Sequence, residues 1–320
     1  MELQLLLDNL TNPALLFFFL GLIAVQLKSD LEIPPTSSKF ISLYLLFSIG
    51  FKGGQELSHS NLDMEIMWSL LFGVGLALLV PIYTFFLLKR KLGVWNAGAI
   101  AAAYGSVSAV TFVTSVSFLE MQQIEFGGHM VAVMALMEAP SIIVGVLLLS
   151  LFNKEEEKKV SCGNVLKHAL TNGSVMLIIG SLIIGFLAND AQAQGIEPFT
   201  TDIFKGFLAV FLLDMGITSG KKLASFLQHG WFSLAFAIVV PLINGCIVAV
   251  ISQAVTASEG NRFLFSILAA SASYIAVPAA MKLAAPKANP SLYLPMALAI
   301  TFPLNITLGM PLYLSIIHMA

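Results

Sequence analysis

Two stretches decide how this chain reads: Ala101-Ala102-Ala103-Tyr104-Gly105-Ser106-Val107-Ser108-Ala109-Val110-Thr111 and Ala269-Ala270-Ser271-Ala272-Ser273-Tyr274-Ile275-Ala276-Val277-Pro278-Ala279. Each is a run of small residues, hydroxyls and helix-breaking punctuation inside an otherwise apolar segment. Serine competes with the helix for its own backbone, and proline withholds a donor, so each stretch predicts an interrupted helix. An interruption exposes backbone N–H and C=O groups that hydrocarbon cannot satisfy, so protein or a ligand must do so.

The surroundings are hydrocarbon-like. Of 320 residues, 58% are hydrophobic and only 11% are charged, and the mean hydropathy is +0.89. A soluble domain carries about 25% charged residues. The composition therefore reads as an integral membrane protein. A net charge of −2, with no basic run longer than Lys89-Arg90-Lys91, disfavours a nucleic-acid binder. Cys162 and Cys246 lie too far apart for a metal or redox motif. Residues 1–12 lack a basic leader and contain Glu2 and Asp8, so the first apolar run reads as a retained membrane segment.

Charged and Pro/Gly/Asn-rich punctuation divides the chain into ten expected spans: 11–28, 37–54, 65–89, 95–119, 127–152, 172–189, 202–219, 229–255, 261–284 and 291–318. The charged stretch from Asn153 to Lys159 reads as a solvated linker. It separates a first five-helix repeat, 1–152, from a second, 162–320, with the linker at 153–161. Four motifs recur in order. Gly53-Gly54 matches Ser219-Gly220, Pro81 matches Pro241, Ser106–Thr111 matches Ser273–Pro278, and Pro140-Ser141 matches Pro303-Leu304, at offsets of 166, 160, 167 and 163. Duplication of an odd number of spans inverts the second copy, which is the plan of many secondary transporters. The expected fold is thus an all-α membrane protein of about ten transmembrane helices, with discontinuous helices crossing at the midplane.

With the N-terminus outside, 13 of the 16 Lys and Arg residues fall in cytoplasmic segments; Lys52, Lys205 and Arg262 fall outside. The positive-inside bias then places both termini outside and the linker in the cytoplasm of a multi-pass protein of the plasma (inner) membrane.

The helix start after each break offers a positive dipole end and free N–H groups to a small anion. Carbonyls and hydroxyls before it suit a hard cation such as Na+. Candidate anion-binding residues are Tyr104, Gly105, Ser106, Val107, Ser271, Ala272, Ser273 and Tyr274; candidate Na+ ligands are Ser108, Thr111, Ser273 and Glu138. Glu138 and Asp214 are carboxylates inside apolar spans, a placement that is costly and faces a cavity or partner. Asn305 can bond substrate or a neighbouring helix. Tyr104 and Tyr274 flank the breaks and either gate the site or pack. There is no phosphate-binding loop and no catalytic or metal-ligand set, so neither ATP-driven transport nor an enzyme is indicated, and no bound cofactor is expected beyond Na+ as coupling ion.

The chain resembles the sodium-dependent bicarbonate transporter family. The resemblance rests on Leu45–Asn61 (with Ile49-Gly50-Phe51-Lys52-Gly53-Gly54), Ala102–Thr111, Met137–Gly145, Leu268–Lys282 and Ala288-Asn289-Pro290-Ser291. It implies two inverted five-helix repeats, a gate and a core domain, a homotrimer, and a site where the broken helices cross. It also implies a PII-like regulatory protein acting from the cytoplasm. The family's serine-rich first break falls on Tyr104–Ser108, its second on Ser271–Ala279, and its acid before a proline on Glu138. Here Tyr274 stands where the family has an acid, and Ala276-Val277 where it has Ser-Gly. The expected function is Na+-coupled uptake of a small anion, bicarbonate first and another small carboxylate second. A channel is the rival and would need a continuous polar stripe.

Overall fold

The computed structural model describes residues 3–59, 63–153, 167, 171–226 and 230–320. The described residues are helical with no strand. The linker at 153–161 lies outside them except for Asn153.

The helix starts sit where side-chain oxygens can take orphan N–H groups. Helix α1 is Leu3–Leu10, and α2 is Pro13–Gln26, capped by Asn12 with Pro13 in its first turn. Helix α3 is Pro35–His59; α4, Met64–Gly105, is capped by Asp63; α5, Ala109–Met121, is capped by Ser108; α6 is His129–Phe152. Helix α7, Gly173–Leu187, is capped by Asn172, and α8, Asp190–Glu197, opens with an Asn189/Gln192 capping box. Helices α9, Phe204–Phe226, and α10, Trp231–Ile251, follow. Helix α11 is Glu259–Ala270, capped by Ser258, and α12 is Ala276–Ala284. The last, α13, runs over Pro290–Met319 with wide π-helical turns at Met296–Thr301 and Asn305–Gly309.

Among the described residues, five stretches are long and apolar enough to cross a membrane: Met64–Met121, His129–Phe152, Asp190–Leu223, Trp231–Ala254 and Pro290–Met319. Helices α2 and α7 are apolar but shorter. The expected spans 65–89 and 95–119 have no loop between them. The chain turns at one residue, Gly93, whose φ of 78° suits a residue without Cβ. The two arms of α4 fold back on each other, because Gly105 lies directly against Pro81, twelve residues from the turn on either side. Helix α1 was not expected. It docks on α13 through Asn9, whose amide donates to the carbonyls of Ile306 and Thr307 at 2.9 and 3.0 Å. Pro311 has no N–H for the Thr307 carbonyl, and Asn9 supplies the missing donor.

The same device recurs at two other intrahelical prolines, Pro81 and Pro241. Pro81 leaves the Ala77 carbonyl unpaired, and the Ser141 hydroxyl of α6 donates to it at 3.2 Å. Pro241 leaves the Ala237 carbonyl unpaired, and the Thr301 hydroxyl of α13 donates to it at 2.8 Å. Each member of the second set lies 160 residues after its counterpart.

Close packing uses glycine. Helix α2 packs on α9 where Gly21 meets Gly216, and α3 packs on α7 where Gly54 meets Gly185. At both crossings a Cβ on either glycine would overlap backbone of the facing helix. Helix α6 packs along α4, and α10 along α11. The interrupted pairs α4/α5 and α11/α12 meet between these groups.

Candidate functional site: two helix breaks stitched together

The first break spans 106–108. Ser106 and Ser108 both take extended backbone, with ψ of −179° and 105°. Ser108 then caps α5, its hydroxyl accepting the Thr111 N–H at 3.1 Å. The second break spans 271–275. Pro278 falls in the first turn of α12, where a missing N–H leaves no gap.

The breaks satisfy each other. Ser273 N–H donates to the Ala103 carbonyl at 2.8 Å, and Ser108 N–H donates to the Ser271 hydroxyl at 3.1 Å. Ser271 in turn donates to Leu268 O at 3.1 Å. Two further carbonyls at the end of α11 take amide donors: Asn244 reaches Ala269 O at 3.2 Å and Asn305 reaches Ala270 O at 2.8 Å. The Asn305 amide oxygen accepts from Tyr313 OH at 3.1 Å. With these carbonyls occupied, the helix N-termini and hydroxyls are the groups at the crossing suited to an anion.

A cavity of about 20 Å³, room for one water, lies at the crossing. Val107, Ser108, Ser273, Tyr274 and Glu138 line it, so five of the expected residues converge. Ala109 and Ile275 place the first turns of α5 and α12 at the same wall, and Leu46, Met134 and Ala135 supply apolar surface.

The other expected residues lie elsewhere. Tyr104 is buried, its hydroxyl 2.8 Å from that of Thr301 and its ring edge-on to Phe236 at 5.1 Å. Gly105 packs against Pro81 and Ser141. The Ser106 hydroxyl is buried without a partner among the described residues. Ser271 and Asn305 hold backbone carbonyls, Ala272 is buried in the apolar core, and Thr111 receives the Ser108 cap. Asp214 accepts a hydrogen bond from Ser38 and faces a separate vestibule of about 520 Å³. That vestibule shares Ser174, Tyr274 and Ile275 with the crossing cavity.

On the opposite side lies a pocket of about 750 Å³ that includes Lys52, Glu56, Glu120 and Glu125. It shares no residue with the crossing cavity. About one helical turn separates them on two helices, Ile49 from Leu46 and Val131 from Met134. Glu120 there pairs with Lys52 at 3.1 Å and with Lys205 at 3.7 Å.

Sequence reading missed Asn244 and Ser174. An amide in the apolar run of α10 was the available signal for Asn244, since a polar group at membrane depth needs a partner. Ser174, in the first turn of α7, carried no signal.

No curated protein matches the chain at a significant level. A family model does match, over residues 13–318, and it describes transporters rather than enzymes. The apolar helices are those of a membrane protein. The chain belongs to the Na+-dependent bicarbonate transporter superfamily.

Proposed function

We propose that this protein is a Na+-coupled carrier for uptake of a small anion, bicarbonate first. The observation that carries the reading is the convergence of two helix N-termini, with Ser108 and Ser273, on a cavity lined by no Lys, Arg or His among the described residues. An anion there is favoured by two dipole ends and by hydroxyl donors. It also meets the Glu138 carboxylate. Like charges about 4 Å apart repel by about 4 kcal/mol at an effective dielectric of 20. A hard cation between Glu138 and the serine hydroxyls offsets that repulsion, which is a physical reason for anion and Na+ to bind together. The family's Na+ dependence supports the same conclusion.

A small carboxylate, an ion of similarly few atoms, is the second candidate. The apolar turn between the crossing and the 750 Å³ pocket favours a carrier over a channel. The ten-span inverted repeat is supported by the 160-residue recurrence of carbonyl, proline and hydroxyl, and by the matching breaks. In this reading the protein sits in the plasma membrane with both termini outside. A homotrimer and a PII-like regulator at the 153–161 linker complete it.

Purified protein in liposomes tests this. Labelled bicarbonate should accumulate saturably under an inward Na+ gradient and stop when K+ replaces Na+. Linear, Na+-independent flux would replace the carrier with a channel, and stronger competition by formate or acetate than by unlabelled bicarbonate would reassign the substrate.

A further inference from the structure

We propose that the Tyr274 side chain is the cytoplasmic gate of the crossing site, a role that rests on the crossing being that site. Tyr274 lies in the non-helical segment between α11 and α12, where the backbone is not held by a helical ladder. It lines the crossing cavity and also the 520 Å³ vestibule. The other two shared residues are Ser174, which is small, and Ile275, which is 41% exposed. Tyr274 is the one ring in the partition among the described residues.

Its hydroxyl lies 3.9 Å from the Met215 sulfur, a weak acceptor, and hydrogen-bonds the Ser108 side chain at the cavity wall. Its ring meets Phe302 edge-on at 6.2 Å. The tyrosine at the other break lines neither space. Tyr104 has an oxygen partner at 2.8 Å and is 2% exposed. Tyr104 therefore packs, and Tyr274 separates two spaces.

Size makes the motion necessary. A cavity of about 20 Å³ holds a water but no polyatomic ion. On the far side of the Tyr274 ring the vestibule has 520 Å³, with Asp214, Lys39 and Lys221 on its wall. Swinging the ring toward that space enlarges the site and joins it to the vestibule in one movement. No such step links the site to the 750 Å³ pocket, where apolar residues of α3 and α6 intervene.

The test places a reporter cysteine at Ala135, a cavity-lining residue that is 8% exposed, after Cys162→Ser and Cys246→Ser. A membrane-impermeant thiol reagent is applied to the cytoplasmic face of inside-out vesicles. Ala135→Cys should react slowly with Tyr274 present and about tenfold faster or more with Tyr274→Ala, because the rate follows the fraction of time the path is open. Tyr274→Phe keeps the ring and should stay slow. Tyr274→Leu should be intermediate and serves if the alanine variant does not fold. Equal rates in Tyr274, Ala and Leu backgrounds would overturn the gate. Protection of Ala135→Cys by Na+ with bicarbonate is read separately. Acceleration without protection leaves Tyr274 as the barrier between the two spaces but removes the crossing as the substrate site and with it the gating role; protection without acceleration keeps the site and overturns the gate.

Discussion

The hydroxyl of Ser141 donates to the carbonyl of Ala77, and the hydroxyl of Thr301 does the same for Ala237, 160 residues later in both donor and acceptor. Each acceptor is the carbonyl that a proline four residues on has left without a donor. Sequence similarity between halves of an apolar chain can arise from composition alone. A shared solution to the same local defect is harder to obtain that way.

These bonds serve stability and not binding. Ser141→Ala should lower the melting temperature in detergent, corresponding to about 1–2 kcal/mol for a buried carbonyl left unpaired. Its apparent affinity for Na+ and bicarbonate should stay within error of the parent. Thr301→Val should destabilise more, since that hydroxyl also partners Tyr104. A loss of affinity with unchanged melting in Ser141→Ala would place this hydroxyl in the transport path.

Ser273 has the opposite expectation. Its hydroxyl lines the crossing cavity, and its contact with Val277 N–H is long at 3.4 Å, so it is largely available to a ligand. A hydroxyl bonded to a charged ligand contributes about 1.5–3 kcal/mol, so Ser273→Ala should weaken Na+ or anion binding about tenfold or more. Ser106→Ala, whose hydroxyl is buried and unpartnered among the described residues, is the companion measurement. Unchanged affinity for both ions in both variants would make the crossing a packing contact and place the site elsewhere.

Glycine crossings predict a contrast between two Gly→Ala changes in membrane-embedded helices. At Gly216 a Cβ would overlap the Phe18 carbonyl of α2. Gly216→Ala should separate α2 from α9 and destabilise by about 1–3 kcal/mol. At Gly180 nothing lies within 4 Å of the added atom. Gly180→Ala should be neutral, or stabilising by about 0.5–1 kcal/mol through helix propensity. Thermal unfolding of the two variants decides it, and equal effects would contradict the packing.

Topology is open to the same kind of direct measurement. A cysteine at Glu156 should react with impermeant reagents only from the cytoplasmic side, and one at Glu2 or Ala320 only from outside. The opposite pattern would reverse the orientation drawn from 13 basic residues against 3.

Composition, punctuation and basic-residue bias were enough to read an all-helical membrane protein with interruptions near 106 and 271, because burial in lipid imposes those patterns on the sequence itself. The caps at Asn12, Asp63, Ser108, Asn172 and Asn289 emerged only with the structure, since none of the expected spans was placed by its cap. The partners of each polar group were not legible, since pairing depends on distance across helices and not along the chain. Only the tertiary structure put Ser108, Ser273 and Glu138 on one cavity while assigning Ser271, Asn244 and Asn305 to carbonyls at the end of α11. It also decided between two similar tyrosines. Sequence places Tyr104 and Tyr274 alike beside a break, but packing buries the first against Thr301 and Phe236 and puts the second at the boundary of two spaces.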